Sequence, residues 1–109
     1  MYEYRAYVRK VYDGDTITVD IDLGFDMILH KQKIRLLKIN APEVRGPSRE
    51  LGLKSRDALR EKIGSKWIKL KIQKDKKGKY GRWLGEIWIN DVCVNDWLLK
   101  EGYAEVYQK

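Results

Sequence analysis

Cysteine and histidine are almost missing from this sequence, which has only Cys93 and His30. One thiol excludes an internal disulfide, and one thiol with one imidazole falls short of the three or four clustered ligands of a zinc site. Any resident metal must therefore be held by oxygen, which selects hard ions such as calcium or magnesium. Apolar residues come only in short groups, far from the roughly 20 that a bilayer helix requires, so no membrane role is expected. The start, Met1-Tyr-Glu-Tyr-Arg-Ala, lacks an apolar run with a small-residue cleavage site. A cytoplasmic location is the expectation unless a leader has been removed. Acidic residues are also in deficit, with 16 Asp and Glu against 23 Lys and Arg, a formal charge of +7. The excess gathers between Ser65 and Arg82, which holds seven Lys and one Arg against one Asp. Such a field favours polyanions through long-range attraction and counterion release.

With 109 residues there is room for one core, so a single domain over 1–109 is expected. Tyr4 to Tyr12 reads as a first strand ending in the turn Asp13-Gly14-Asp15, where Gly14 is free to take a left-handed conformation. Ile17, Val19, Ile21 and Leu23 alternate with Thr18, Asp20 and Asp22, the period of a strand with one buried face. A turn over Gly24 to Asp26 leads to the stretch Met27 to Ile39, which contains more strand and in which the adjacent Leu36 and Leu37 suggest a bulge or a face covered on both sides. Pro42 and Pro47, the only prolines, force the backbone out of the sheet. Leu51, Ser55, Ala58, Leu59 and Ile63 then follow helical spacing, with Ser48 placed to cap and Gly64 to stop the helix. Gly52 weakens its first turn.

Ile68, Leu70 and Ile72 alternate with Lys69, Lys71 and Gln73 in a strand with one positive face. After a polar loop, Trp83 to Ile89 and Val92 to Val94 form a hairpin about Asn90-Asp91. Asn95 is placed to cap a last helix, Asp96 to Glu101, ended by Gly102. Five short strands with an intervening helix and a short late one suit a small mainly-β barrel of the oligonucleotide-binding (OB) type. An open antiparallel sheet with helices fits the same pattern.

Several positions are candidates for chemistry, although the Asp13-Gly14-Asp15 turn is also an ordinary hairpin composition and Pro42-Glu43 equally suits a loop facing solvent. Asp13 and Asp15 put two carboxylates in one turn, able to offer oxygen to a hard cation. Asn40 and Glu43 flank the rigid Ala41-Pro42 step. Arg35 and Arg82 present planar donor forks suited to phosphate, and two of them on one phosphoryl group would stabilise transition-state charge. Lys79 and Tyr80 would meet neighbouring phosphates, Lys69 and Lys71 would extend the basic track, and Tyr107 would stack on a base. His30 is expected at the surface, Cys93 in packing, and Trp97 in the packing of the late helix.

Taken in order, Asp13-Gly14-Asp15-Thr16, Arg35-Leu36-Leu37, Asn40-Ala41-Pro42-Glu43, Lys79-Tyr80-Gly81-Arg82 and Val94-Asn95 resemble the staphylococcal nuclease (thermonuclease) family, from about Tyr7 to Val106. The resemblance implies a five-stranded OB barrel and a calcium-dependent, largely sequence-nonspecific phosphodiesterase that leaves 3′-phosphate products from DNA or RNA. It implies Asp15, Asn40 and the Ala41 carbonyl as calcium contacts, with Asp13 supporting them. It further implies Glu43 as general base, Arg35 and Arg82 on the phosphate, and Lys79 and Tyr80 on nucleotide phosphates. The family typically has Asp where this chain has Asn40, so a weaker hold on calcium or a different divalent ion is expected. Secreted members continue into another C-terminal helix, and a trimmed barrel with looser nucleotide binding is the expectation here. The chain is expected to act as a monomer without an obligate protein partner. The alternatives are a nucleic-acid-binding barrel without catalysis and a protein-interaction module.

Overall fold

The alternation that begins at Ile17 sets the architecture, because every strand built on it has one face that must leave water. The computed structural model describes residues 2–74 and 82–107. Strands β1 (Tyr2–Asp13), β2 (Thr16–Gly24) and β3 (Met27–Leu36) form an antiparallel meander. A two-residue strand β4 (Ile39–Asn40), a 3-10 turn (Gly46–Ser48) and helix α1 (Arg49–Ile63) follow. Next come β5 (Trp67–Lys74), β6 (Trp83–Ile89), β7 (Val92–Cys93), helix α2 (Val94–Lys100) and β8 (Glu105–Val106).

The sheet runs β3-β2-β1-β5-β6-β7, and β3 also pairs with β6. That last pairing is parallel, Ile34 with Trp83, Arg35 with Leu84 and Leu36 with Gly85, whereas the other neighbouring strands of the sheet pair antiparallel. The result is a closed five-stranded OB barrel with no open sheet across its seam. Ile17, Ile34, Leu70 and Ile87, from four different strands, are fully buried inside it. Leu59 and Ile63 of α1 and Leu98 of α2 complete the same core. Burial of each such side chain contributes about 1.5–3 kcal/mol.

The structure corrects several expectations. Met27 to Ile39 does contain strand, but β3 ends at Leu36 and Lys38 turns with φ 67° before β4, so Leu36 and Leu37 mark a strand end rather than a bulge. Helix α1 begins at Arg49, and Ser48 occupies the cap position without capping it. The hydroxyl instead donates to the Glu43 carbonyl at 3.1 Å. Asn95 does not cap α2, whose flanking residue is Cys93. It lies on the buried side with Val94 and Leu98. There its Oδ1 accepts from Ile87 N (3.1 Å), while Nδ2 donates to Leu37 O (3.0 Å) and Gly85 O (3.1 Å). Asn95 thus ties α2 to β6 and to the turn after β3.

Gly14 is needed for a reason other than a left-handed turn. A Cβ there would fall 2.7 Å from the Cβ of Ala41 and 2.9 Å from that of Ser55. Gly52 is similar. It is buried in the first turn of α1, where glycine costs about 1 kcal/mol against alanine. A Cβ would meet the Glu43 carbonyl oxygen at 2.1 Å.

Candidate active site

Asp15 opens β2 and is buried, which for a carboxylate demands partners. Oδ2 accepts the Ala41 N–H at 2.8 Å and Oδ1 accepts the Thr16 hydroxyl at 2.9 Å. The Asp15 carbonyl takes Leu36 N at 2.7 Å. One residue thus joins the β1–β2 turn, the end of β3 and the step after β4. Asp13 stands behind it and accepts the Asp15 N–H at 3.0 Å through Oδ1.

Arg35 pairs opposite Thr16 in the β2–β3 ladder. Flanked by the buried Ile34 and Leu36, it points to the other side, as alternation requires. Nη1 donates to Leu36 O (2.9 Å) and Ile39 O (2.8 Å), while Nη2 donates to Asn40 Oδ1 (3.3 Å) and lies 3.4 Å from Asp15 Oδ2. Only 14% of this side chain is exposed, and 8% of Asp15's. Tyr107 closes the other side, with its ring centroid 5.6 Å from the guanidinium carbon. It is held there because β8 pairs with β4, Ile39 with Val106 and Asn40 with Glu105. Tyr107 N donates to Lys38 O at 2.9 Å, which extends that ladder.

Five of the residues singled out from sequence therefore gather within one neighbourhood: Asp13, Asp15, Arg35, Asn40 and Ala41. Tyr107 joins them over Arg35 and stays half exposed there. Glu43 follows two residues after Ala41 and is exposed, with its peptide resting on α1. Arg82 directly precedes β6, two residues before Leu84, the cross-strand partner of Arg35. Lys69 and Lys71 stand apart on the outer barrel face. Lys69 pairs with Glu3 at 3.3 Å, and Lys71 lies 4.7 Å from the Trp88 ring. Lys79 and Tyr80 lie outside the described residues. Cys93 is buried and His30 is at the surface, as expected. Trp97 packs near Tyr103, with ring centroids 5.8 Å apart.

Asp20 was missed by the sequence reading. It is a buried carboxylate that accepts Lys31 N (3.0 Å), Arg9 Nε and His30 Nδ1 (3.3 Å). Burial alone would raise its pKa, but these donors outweigh that and hold it below the ordinary carboxylate value. The available signal was an aspartate on a strand whose two neighbours carry a histidine and an arginine.

Burial and the adjacent Asp15 carboxylate push the Asp13 carboxyl up from 3.8 to about 7, against the opposing pull of the Asp15 N–H and the Arg35 charge. A folded value above the unfolded one means the native state holds a proton that the unfolded chain releases. That contribution is complete below about pH 4 and fades as pH rises through 7. Asp13→Asn cannot ionise, so in chelator its melting temperature should exceed wild type by more at pH 8 than at pH 4.5. Equal differences at the two pH values in thermal melts would remove this assignment.

Among the described residues, no three His, Cys, Asp or Glu side chains come together as a metal site. An oxygen site here would have to draw on amide and main-chain oxygens as well. Asp15 and Asn40 supply a carboxylate and an amide oxygen that converge on a single nitrogen of Arg35. Oxygen atoms already gathered about a positive group form a donor set compatible with a hard divalent ion.

Comparison with known proteins agrees with this geometry. The family model described as staphylococcal nuclease homologue matches residues 33–109. The thermonuclease of Staphylococcus intermedius is 32% identical over 100 residues, covering 89% of this chain and 56% of that protein. The Staphylococcus hyicus thermonuclease is 31% identical over 100 residues, with the same two coverages. A prophage-derived endonuclease of Bacillus subtilis is 33% identical over 101 residues, covering 89% of this chain and 32% of its own. The chain thus spans little more than half the length of the two thermonucleases. A matched stretch of most of the chain, on a closed barrel with two helices, makes this protein a member of the staphylococcal nuclease family.

Proposed function

We propose that this chain hydrolyses phosphodiester bonds of DNA or RNA at the cluster of Asp15, Arg35, Asn40, Ala41 and Glu43, with calcium as its metal. The observation that carries the reading is the guanidinium of Arg35, fixed at the end of β3 between Asp15 and Asn40. The family's nuclease-named members support the same reaction class.

Asp15, Asn40 and the Ala41 carbonyl would hold the ion, with Asp13 behind them. When bound, it would supply charge screening and a fixed point for a phosphate oxygen. Asn40 brings no charge, so affinity should lie below that of a site with two carboxylates.

The remaining work belongs to the chain's own residues. Both hydrogens of Nη1 are spent on main-chain carbonyls, which fixes the plane of the guanidinium. The Nε–Nη2 edge is left to meet a phosphoryl oxygen, with Asp15 and Asn40 as the present partners of Nη2. Arg82, directly before the neighbouring strand β6, would hold the same group. Glu43, exposed beside this cluster, accepts the proton of the attacking water as its oxygen bonds to phosphorus. The bond to the 5′ oxygen breaks, leaving a 3′ phosphate. An arginine, with a pKa above about 12, is a poor donor to that oxygen, so the proton comes from water. Tyr107, fixed over Arg35, would stack on a base near the scissile bond. Lys79 and Tyr80 would contact the flanking phosphates.

Cleavage of single-stranded DNA measured against calcium for wild type, Glu43→Ala and Asn40→Asp tests this reading. Glu43→Ala should lose about a hundredfold in rate, and Asn40→Asp should reach half-maximal rate at lower calcium. Wild-type cleavage by Glu43→Ala would end the proposed role of Glu43. Salt-sensitive binding without hydrolysis under any divalent ion would leave a binding barrel. The feature that favours that second reading is the commitment of Arg35 to protein acceptors.

A further inference from the structure

We propose that Gly52 is the residue that positions Glu43, by letting the Glu43 peptide lie directly on helix α1. The inference rests on the reading of Glu43 as the proposed base. Glycine in the first turn of a helix weakens it, and nothing in the local sequence requires one there. The reason lies across the interface. A Cβ at position 52 would fall 2.1 Å from the Glu43 carbonyl oxygen, 2.4 Å from its carbon and 2.8 Å from Val44 N. All three atoms are main chain, so no flexible side chain can move aside.

Ser48 holds the same carbonyl from a second direction, donating to it at 3.1 Å. The Glu43–Val44 peptide is therefore gripped between a hydroxyl and the bare surface of the helix. The side chain of Glu43 thus starts from a peptide held on two sides. This explains how an exposed carboxylate on a loop with two prolines can have a defined origin.

The same helix edge also seats the other half of the site. Gly52, Ser55, Leu59 and Ile63 are the buried residues of α1. Ser55 abuts Gly14, where a Cβ would fall 2.9 Å from the Cβ of Ser55. Gly14 lies between Asp13 and Asp15. Positions 52 and 55 are about 4.5 Å apart along a helix axis. One rigid helix therefore sets the offset between the Glu43 peptide and the turn that carries both aspartates. Its reach extends further, because the Ser55 hydroxyl donates to Tyr103 O at 2.6 Å, just before the segment that covers Arg35.

Any side chain at position 52 must push the Glu43 peptide away by an ångström or more to reach ordinary contact. A displacement of that size at a catalytic group costs on the order of a hundredfold in rate. The test uses the whole chain as wild type, Gly52→Ala, Glu43→Gln and the double variant. Cleavage kinetics, single-stranded DNA affinity without hydrolysis, and the amide resonances of Glu43 and Val44 are measured. Gly52→Ala should lower kcat about ten- to a hundredfold, with KM and DNA affinity changed less than about twofold. The two amide resonances should move, and the substitution should add nothing in the Glu43→Gln background.

A Gly52→Ala enzyme with wild-type kcat, beside an impaired Glu43→Gln, would overturn the inference alone. So would an equal loss in both backgrounds, since Gly52 would then act through another group. Wild-type kcat in Glu43→Gln would instead overturn the role of Glu43, and the inference with it. If Gly52→Ala does not fold, Ser48→Ala and Ser48→Thr decide. The first should lower kcat several-fold only when Glu43 is present, and the second should restore it. Unchanged kcat in Ser48→Ala would count against the inference.

Discussion

Arg35→Ala is expected to lower the rate of polynucleotide cleavage about a thousandfold and to cost about 3 kcal/mol of stability. Both effects come from one guanidinium. In the proposed mechanism, a positive group held by Leu36 O and Ile39 O would already be oriented before substrate arrives. It therefore needs no reorganisation when charge develops on the phosphoryl oxygens. On the stability side, truncation leaves Asp15 buried without its cation and two carbonyls without a donor. Arg35→Lys separates the two effects. An ammonium retains the charge but cannot span two carbonyls and Asn40 with one planar group. It should recover part of the stability and little of the rate. Single-turnover cleavage at saturating calcium and guanidinium denaturation measure the pair. Cleavage by Arg35→Ala within tenfold of wild type would remove Arg35 from the mechanism.

Asn95→Ala should lower stability by about 3 kcal/mol, as much as Arg35→Ala and without touching the site. The carboxamide satisfies Ile87 N, Leu37 O and Gly85 O at once, and each buried polar group left without a partner costs about 1–3 kcal/mol. For a domain of this size, about 4–8 °C of melting temperature accompanies each kcal/mol, so the midpoint should drop by roughly 15 °C. Asn95→Asp keeps an acceptor for Ile87 N but presents a carboxylate to two carbonyls. It should be no better. Thermal melts of both variants decide the matter, and a fall below about 3 °C for Asn95→Ala would mean that water replaces the carboxamide without cost.

The barrel was legible because its strands carry the period that burial imposes. Ile17 to Ile21 and Ile68 to Ile72 alternate so regularly that only one side of each can face the core. The turn at Asn90-Asp91 was legible too, since both residues tolerate the left-handed conformation they adopt, with φ 49° and 67°. What escaped was the role of residues whose partners are distant in sequence. An asparagine before a helical pattern looks the same whether it caps that helix or reaches a strand behind it. The hint was its place beside Val94 and one turn from Leu98, on the apolar side of α2. Gly14 and Gly52 look like turn and helix-weakening residues, because no local pattern records which backbone lies against them.

Within the site, Asp15, Arg35, Asn40 and Ala41 stand in contact, and the order of their motifs already pointed to one neighbourhood. That Tyr107 would be fixed over Arg35 depends on the β4–β8 pairing, which two-residue strands do not announce. Lys69 and Lys71 were chosen for charge, and charge alone does not reveal that Glu3 and Trp88 stand next to them.

The parallel seam between β3 and β6 has a consequence for the order of assembly. The β1–β2 and β2–β3 hairpins join residues close along the chain, while the seam, like the β1–β5 and β4–β8 pairings, unites distant segments and needs the slower closure of a long loop. Arg35 sits on that seam. Its guanidinium therefore takes its final surroundings only once long loops have closed on both sides of it, at β6 and at the β4–β8 pairing that carries Tyr107.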